Sequence, residues 1–145
     1  LGVSCERYSF EKKSDAEIAM RCQSSGQAAY ALRPETWESL YYLRYFTGEE
    51  KYRDWGKEIF ASVRRYARSS FGYGTVDFRA EDEDIGEANV RVEDHEESFV
   101  AAETLKYAYL LLLDQEESKR VLDLSKFVLT TEAHPIAVRK TEGGA

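Results

Sequence analysis

Three short segments carry the side chains that could do chemistry in this 145-residue chain. They are Arg33-Pro34-Glu35, the stretch from Phe99 to Glu103, and Thr131-Glu132-Ala133-His134-Pro135. A hydrophobic core does not require acids or an arginine beside a proline, so each segment is a candidate site. Carboxylates can act as general acids or bases, and oxygen donors can bind a hard cation.

Glu35 occupies the first turn of a predicted helix that opens at Pro34, a residue suited to that turn because it lacks an N–H. The helix dipole favours an ionised carboxylate there, and Arg33 adds to this effect if it lies close. An ionised carboxylate can take a proton from water, as the general base of an inverting glycosidase does. Glu38 lies three residues further on and can share this face. On position alone, both acids are more simply explained as solvated residues at a helix N-terminus.

Phe99 and Glu103 are four residues apart on another predicted helix, so they lie on one face with Tyr107 next in line. A carboxylate beside an aromatic ring suits a sugar, because the acid accepts hydrogen bonds from hydroxyl groups and the ring covers apolar C–H faces. On spacing alone, a core phenylalanine beside a surface glutamate explains the pair more simply.

Thr131 offers a hydroxyl and a backbone carbonyl, both of which are hard oxygen donors suited to Ca²⁺. Glu132 adds a carboxylate that could bind the ion through a water. His134 is restricted to extended conformations by the following proline, and alone it is better explained as a structural residue than as a ligand. Zinc is a poor fit, because the chain has 2 histidines and they lie far apart in sequence.

The composition is that of a globular protein, 43% hydrophobic and 13% aromatic, with a net charge of −7. This acidity argues against nucleic acid as a partner, since such binding needs a basic surface. The longest apolar run, near Leu110–Leu113, is too short to span a bilayer. No Met precedes Leu1, so we expect the chain to begin inside a longer protein. Cys5 and Cys22 allow either a disulfide or two free thiols.

Hydrophobic periodicity predicts three long helices, separated by short β pieces and an acidic loop at 81–84. We expect the helices at 34–47, 49–68 and 94–113, a short strand or hairpin at 71–76, and a strand at 126–130. Residues 15–20 favour a further short helix. Without alternating βαβ units, a doubly wound sheet is unfavourable, and the pattern predicts an all-α array of helical hairpins.

Five ordered blocks resemble the C-terminal part of glycoside hydrolase family 47, the class I α-1,2-mannosidases. The blocks are Leu32-Arg33-Pro34-Glu35-Thr36, Lys51-Tyr52-Arg53-Asp54-Trp55-Gly56, Glu97-Ser98-Phe99, Ala102-Glu103-Thr104-Leu105-Lys106-Tyr107 and Thr131-Glu132-Ala133-His134-Pro135. The resemblance implies an all-α fold that is part of an (α/α) barrel, the (αα)7 toroid, with short β-hairpin elements. It divides the chain into a poorly matched segment at 1–29, a catalytic-domain part at 30–138 and a tail at 139–145.

The resemblance also implies a role for each candidate residue. Glu35 matches the catalytic base, Thr131 the residue that contacts calcium directly, and Arg33, Glu38, Phe99, Glu103 and Glu132 match substrate-binding residues. The family supplies its catalytic acid and a further aspartate from regions upstream of those present here. We therefore expect the 145-residue chain to be inactive by itself.

The implied function is that of a calcium-dependent mannosyl-oligosaccharide 1,2-α-mannosidase, an inverting glycosidase that trims high-mannose N-glycans on glycoproteins. Such a protein is expected in the lumen of the endoplasmic reticulum or Golgi, where an upstream segment could anchor it to the membrane, or outside the cell. The alternative is a mannosidase-like lectin of endoplasmic reticulum glycoprotein degradation, a branch in which Thr-Thr-Glu often stands at positions 130–132. Ala133-His134-Pro135 and Trp55-Gly56 favour the processing enzyme.

Overall fold

The computed structural model describes residues 8–14, 17–22, 29–78 and 90–139. They divide into two compact units, one holding the residues up to Arg33 together with Glu58–Glu97, the other holding Pro34–Lys57 and the residues from Ser98 on. The fold is largely helical with short strands. The described residues alone do not close into a barrel, so the toroid stays a prediction. None of their helices is both long enough and apolar enough to cross a membrane.

The helices and strands follow one another as short elements along the chain. The helices are α1 at Glu35–Thr47, α2 at Lys51–Tyr66, a π-helical turn at Val100–Thr104, α3 at Leu105–Leu112 and α4 at Gln115–Val121. The strands are β1 at Tyr8–Ser14, β2 at Glu17–Cys22, β3 at Ala29–Tyr30, β4 at Val76–Phe78, β5 at Val90–Val92, β6 at Phe127–Leu129 and β7 at Pro135–Ala137. They pair antiparallel as β1–β2, β3–β4–β5 and β6–β7.

The first predicted helix is confirmed as α1, which begins directly after Pro34. Its buried side chains recur every three or four residues, which places them on one stripe facing the core. They are Trp37, Leu40, Tyr41 and Arg44. Gly48 ends the helix at φ 74°, a left-handed conformation that glycine adopts without a steric cost, and its N–H donates to the Arg44 carbonyl at 2.9 Å.

Helix α3 is the most deeply buried element of the second unit and packs on α1. Its Tyr107 ring lies 6.1 Å from that of Tyr41, centroid to centroid. Gly56 in α2 faces Leu111, where an added Cβ would lie 2.5 Å from a leucine methyl carbon. The absence of a side chain at Gly56 therefore allows close approach to α3.

Two arginines satisfy the carbonyl groups at the C-terminal end of α3. Nη1 of Arg44 donates to the carbonyls of Leu111 and Leu113, both at 2.7 Å, and Nη2 donates to the Glu50 carboxylate at 2.8 Å. Nε of Arg53 donates to the carbonyl of Leu112 at 3.0 Å. These bonds satisfy carbonyls that have no partner within the helix and place positive charge at the negative end of its dipole.

The third predicted helix differs from the observed one in both its start and its regularity. Helical structure begins at Ser98 rather than near residue 94, and it passes through the π turn before α3. The sequence prediction ended the helix near Leu113 and placed no helix beyond it. Instead α4 starts at Gln115, because extended backbone at Leu113 and Asp114 breaks one helix and starts another.

Predictions for the short elements had mixed outcomes. The strand at 126–130 is confirmed as β6, whereas β7 was not predicted. The strand or hairpin predicted at 71–76 is displaced, since β4 begins only at Val76, after an isolated bridge between Arg68 and Tyr73. The short helix predicted at 15–20 is wrong from Glu17 on, because pairing with β1 makes this segment the strand β2.

Three features of the sequence lie outside the described residues. The Cys5 and Cys22 thiols, the acidic run at 81–84 and the tail beyond residue 139 are not among the groups whose placement is described.

Candidate functional site

In the second unit, four carboxylates from three separate segments lie near enough for the charges of three of them to act on the fourth, Glu103. Glu35 and Glu38 belong to the first turn of α1, Glu103 to the π turn, and Glu132 to the turn between β6 and β7. Burial raises the pKa of Glu103, and the negative charges of Glu132, Glu35 and Glu38 raise it further. The site is thus a region of concentrated negative charge, suited to hydroxyl groups or to a cation.

The π turn presents Glu103 to this cluster. The N–H of Leu105 donates to the carbonyl of Val100, five residues back, so the turn accommodates one residue more than an α-helix does. Val100 and Thr104 are buried, while Glu103 is half-buried. Phe99, also half-buried, immediately precedes the turn. Single π turns inside α-helices occur frequently at functional sites, and this one contains a predicted site residue.

Tyr107 holds Glu38 in place from α3. Its hydroxyl donates to Oε1 of Glu38 at 3.2 Å, and the tyrosine is only 1% exposed. Burial raises the pKa of Tyr107, and the charge of Glu38 raises it further. The phenol therefore remains protonated at neutral pH and serves as a permanent donor to the carboxylate. Burial and the charge of Glu38 also raise the pKa of Tyr42.

Thr131 and Glu132 are exposed in the turn that joins β6 to β7, which we call the Thr130–His134 turn. The N–H of Thr130 donates to the carbonyl of His134, and the N–H of Ala133 donates to that of Thr130, both at 2.9 Å. The N–H of His134 donates to the Thr130 hydroxyl at 3.1 Å. These bonds close the turn, in which Thr131 is exposed.

Lys106 joins α3 to this turn. Its Nζ donates to the carbonyl of Ala133 at 2.8 Å, across a partly buried contact. Ala133 is fully buried and has φ 57°, in the left-handed region that alanine rarely adopts. The bond fixes the turn at the position where its backbone is least favourable.

The other predicted site residues do not all belong to the same unit as the four acids. Phe99 and Thr131 belong to the same unit as the four acids, four residues before Glu103 and directly before Glu132 respectively. Arg33 is exposed and belongs to the first unit, directly before Pro34. The structure therefore groups the acids, whereas the predicted role of Arg33 rests on its sequence position.

The donor set suits a hard cation better than a soft one. In the part of the chain that the structure describes, no three His, Cys, Asp or Glu side chains form a group able to hold a metal ion. Thr131 is exposed and has a hydroxyl and a carbonyl to offer, and Glu103 and Glu132 add carboxylates whose mutual repulsion a cation would relieve. Oxygen donors of this kind are those that calcium prefers.

Lys106 and the bond between Tyr107 and Glu38 were not foreseen as parts of the site. The sequence held one indication for Lys106. It lies three residues after Glu103, and residues at this spacing are neighbours on a helix surface. The partner of each side chain is distant in sequence, and local spacing does not reveal such pairs.

An open cavity of about 530 Å³ lies in the first unit and contains none of the predicted site residues. Its lining consists of Arg68, Ser69, Ser70, Val92 and Asp94. The predicted chemistry therefore does not coincide with this cavity.

Comparison with known proteins gives concordant matches. The model of glycosyl hydrolase family 47 matches residues 1–138, which include the segment 1–29 that the sequence analysis kept apart. The chain is 36% identical over 122 residues to mannosyl-oligosaccharide alpha-1,2-mannosidase IA of Drosophila melanogaster, covering 84% of this chain and 17% of the relative. It is 44% identical over 108 residues to the human endoplasmic reticulum mannosyl-oligosaccharide 1,2-alpha-mannosidase, covering 74% of this chain and 14% of that relative.

A solved structure, that of an alpha-1,2-mannosidase from Trichoderma reesei, is also similar. Its TM-score is 0.58 at 35% sequence identity, over 77% of this chain and 22% of the other. The chain thus spans less than a quarter of each of these relatives.

Proposed function

Because the chain belongs to glycosyl hydrolase family 47, we propose that it forms the C-terminal part of a calcium-dependent mannosyl-oligosaccharide 1,2-α-mannosidase. The observation that carries this proposal is that the charges of Glu35, Glu38 and Glu132 act on Glu103 within one unit, which also holds Phe99 and Thr131. The relatives named above act on mannosyl-oligosaccharides, so the proposed substrates are the high-mannose N-glycans of glycoproteins.

Glu35 is the residue that we assign as the general base. It lies at the first position of α1, exposed to solvent, at the positive end of the helix dipole. An exposed carboxylate can accept a proton from the attacking water as that water adds to the anomeric carbon. Inversion requires a general acid on the opposite face of the sugar, which we expect from a region outside this chain.

The remaining side chains would bind and orient the mannose ring. The ring of Phe99 would cover a C–H face, while Glu103 and Glu132 would accept hydrogen bonds from hydroxyl groups. Glu38 is oriented for the same purpose by Tyr107. Arg33 would donate to the oxygens of the substrate. Hydrogen bonds from sugar hydroxyls to carboxylates are charge-assisted and therefore strong.

Thr131 would hold calcium through its hydroxyl and carbonyl, with Glu103 and Glu132 bonded to the waters around the ion. Bound calcium would supply positive charge that binds mannose hydroxyls and helps to distort the ring. The negative charge of the four acids would favour such a cation, and its arrival would relieve the repulsion recorded in the raised pKa of Glu103.

The names of the human and mouse relatives place those enzymes in the endoplasmic reticulum, so we propose that this protein also works in the secretory pathway. A lumenal enzyme in the endoplasmic reticulum or Golgi, with or without a membrane anchor, is consistent with N-glycan substrates.

The experiment that tests the proposal measures mannose released from a high-mannose oligosaccharide by the longer protein that contains this chain. We expect release from α-1,2 linkages, loss of activity with a calcium chelator, and recovery on adding Ca²⁺. The 145-residue chain by itself should release none. Oligosaccharide binding without hydrolysis would favour the lectin alternative, and activity of the isolated chain would contradict the assignment of the acid to another region.

A further inference from the structure

We propose that Lys106 is a positioning residue that holds the Thr130–His134 turn, and with it Thr131 and Glu132, beside the π turn that carries Glu103. This inference deepens the proposed function, and its consequence for calcium rests on that function. The geometric basis of the inference does not rest on the proposed function, because the bond between Lys106 and the turn is independent of what the site binds.

The position of Lys106 suits this task. It lies three residues after Glu103, in the first turn of α3, and its Nζ reaches the carbonyl of Ala133 at 2.8 Å. Ala133 follows Thr131 and Glu132 directly in the turn. A single contact thus joins the helical segment that carries one predicted site residue to the turn that carries two others.

The turn needs an external contact because its own strands are short. Strands β6 and β7 have three residues each and form a separate two-stranded sheet. An isolated hairpin of two strands is marginally stable in water. Ala133 also adopts a positive φ of 57°, which an alanine occupies only when surrounding contacts hold it there.

The chemistry of the contact makes it strong. An ammonium group that donates to a carbonyl forms a charge-assisted hydrogen bond, and partial burial shields this one from competing water. The same positive charge opposes the rise in the pKa of Glu103 that burial and the neighbouring acids cause. Lys106 therefore also places a cation among carboxylates that repel one another.

The first test measures amide hydrogen exchange in the 145-residue chain. We expect Lys106→Met to accelerate exchange at Thr130, Ala133 and His134 by about tenfold or more, because the lost charged hydrogen bond lets the turn open locally. Amides of α1 should keep their rates. Lys106→Arg, which retains a cationic donor, should restore most of the protection.

Lys57→Met is the matched control, since it removes a lysine of the same unit that pairs on the surface with Asp54. It should leave exchange in the turn unchanged. Unaltered exchange in Lys106→Met would overturn the inference. Equal acceleration at every amide in both the Met and the Arg variants would also overturn it, because Lys106 would then stabilise the unit in general.

The second test measures Ca²⁺ affinity by calorimetry in the longer protein. We expect Lys106→Met to weaken affinity about tenfold, as changes to groups that orient metal ligands do, whereas Thr131→Ala should weaken it more. Wild-type protein that binds no calcium would contradict the proposed function and leave the exchange result standing. Wild-type binding with unchanged affinity in Lys106→Met would contradict the link from Lys106 to calcium.

Discussion

The two ends of the helical segment from the π turn through α3 differ in their charged side chains, which are paired with opposite charges at one end and lie beside like charges at the other. At the C-terminal end, Arg44 and Arg53 donate to carbonyl groups and form ion pairs with Glu50, so each charge meets its complement. At the N-terminal end, four carboxylates gather with Lys106 as the cation that opposes their effect on Glu103. Both ends belong to one unit and share the same core.

We interpret the difference as one between a stabilising cluster and the proposed functional cluster. Charges that satisfy one another lower the free energy of the folded state. Like charges held together raise it, and a fold retains them where binding or catalysis needs them. We therefore expect changes at the C-terminal end to cost stability, and changes at the N-terminal end to cost activity with little loss, or even a gain, of stability.

The largest effect is expected at Glu35. Glu35→Gln in the longer protein removes the proton acceptor while keeping the size of the side chain, so kcat should fall by about a thousandfold, with KM changed much less. Glu116→Gln, an exposed acid of α4, is the control and should leave kcat unchanged. A kcat within threefold of wild type would remove Glu35 from the role of base.

Arg44 provides the largest stability effect. Arg44 is 3% exposed and bonds to two carbonyls and to Glu50, so Arg44→Met should lower the free energy of unfolding by about 3 kcal/mol. Urea denaturation of the 145-residue chain measures this value. Arg120→Met, an exposed arginine of α4, should change it by less than about 0.5 kcal/mol. Equal effects of the two variants would show that capping of α3 contributes nothing.

The smallest expected effect is at Glu103, where a substitution should raise the free energy of unfolding instead of lowering it as at Arg44. Burial, and then the charges of Glu132, Glu35 and Glu38, raise its pKa, so the folded state holds this proton more tightly than the unfolded state. Its contribution therefore favours folding below the unfolded pKa and is lost as pH rises through the folded one.

Glu103→Gln should accordingly stabilise the chain at pH 7 by less than about 1 kcal/mol, since solvent screens the carboxylates. The gain should vanish at low pH, where Glu103 is neutral in both states. Paired unfolding curves measured at several pH values test this, with the exposed Glu117→Gln as the control. If Glu103→Gln instead destabilises the chain at pH 7, repulsion between Glu103 and the neighbouring carboxylates does not raise the free energy of the folded state.

The sequence predicted the parts of the fold that local pattern determines. Helix α1 follows from Pro34, the spacing of its buried side chains and Gly48, all of which act within the segment. It did not predict β2, the π turn or α4. Strand β2 depends on pairing with β1, and the π turn adds a single residue to a helix whose hydrophobic spacing continues unbroken.

The site shows the same division. Spacing placed Glu35 with Glu38, and Phe99 with Glu103, while the family resemblance joined these pairs to Thr131 and Glu132. The bonds from Tyr107 to Glu38 and from Lys106 to Ala133 join residues 69 and 27 positions apart, so they depend on tertiary packing. Side chains that hold others in place are therefore harder to predict than the side chains that they hold.

The most direct test of the central claim uses proton NMR to identify the anomer of mannose that is released first. The longer protein would act on an α-1,2-mannoside with calcium present. The account predicts β-mannose as the first product, because Glu35 would direct water to the face opposite the leaving group. Release of α-mannose first, or no release at all, would contradict the assignment of the acidic cluster to an inverting α-1,2-mannosidase.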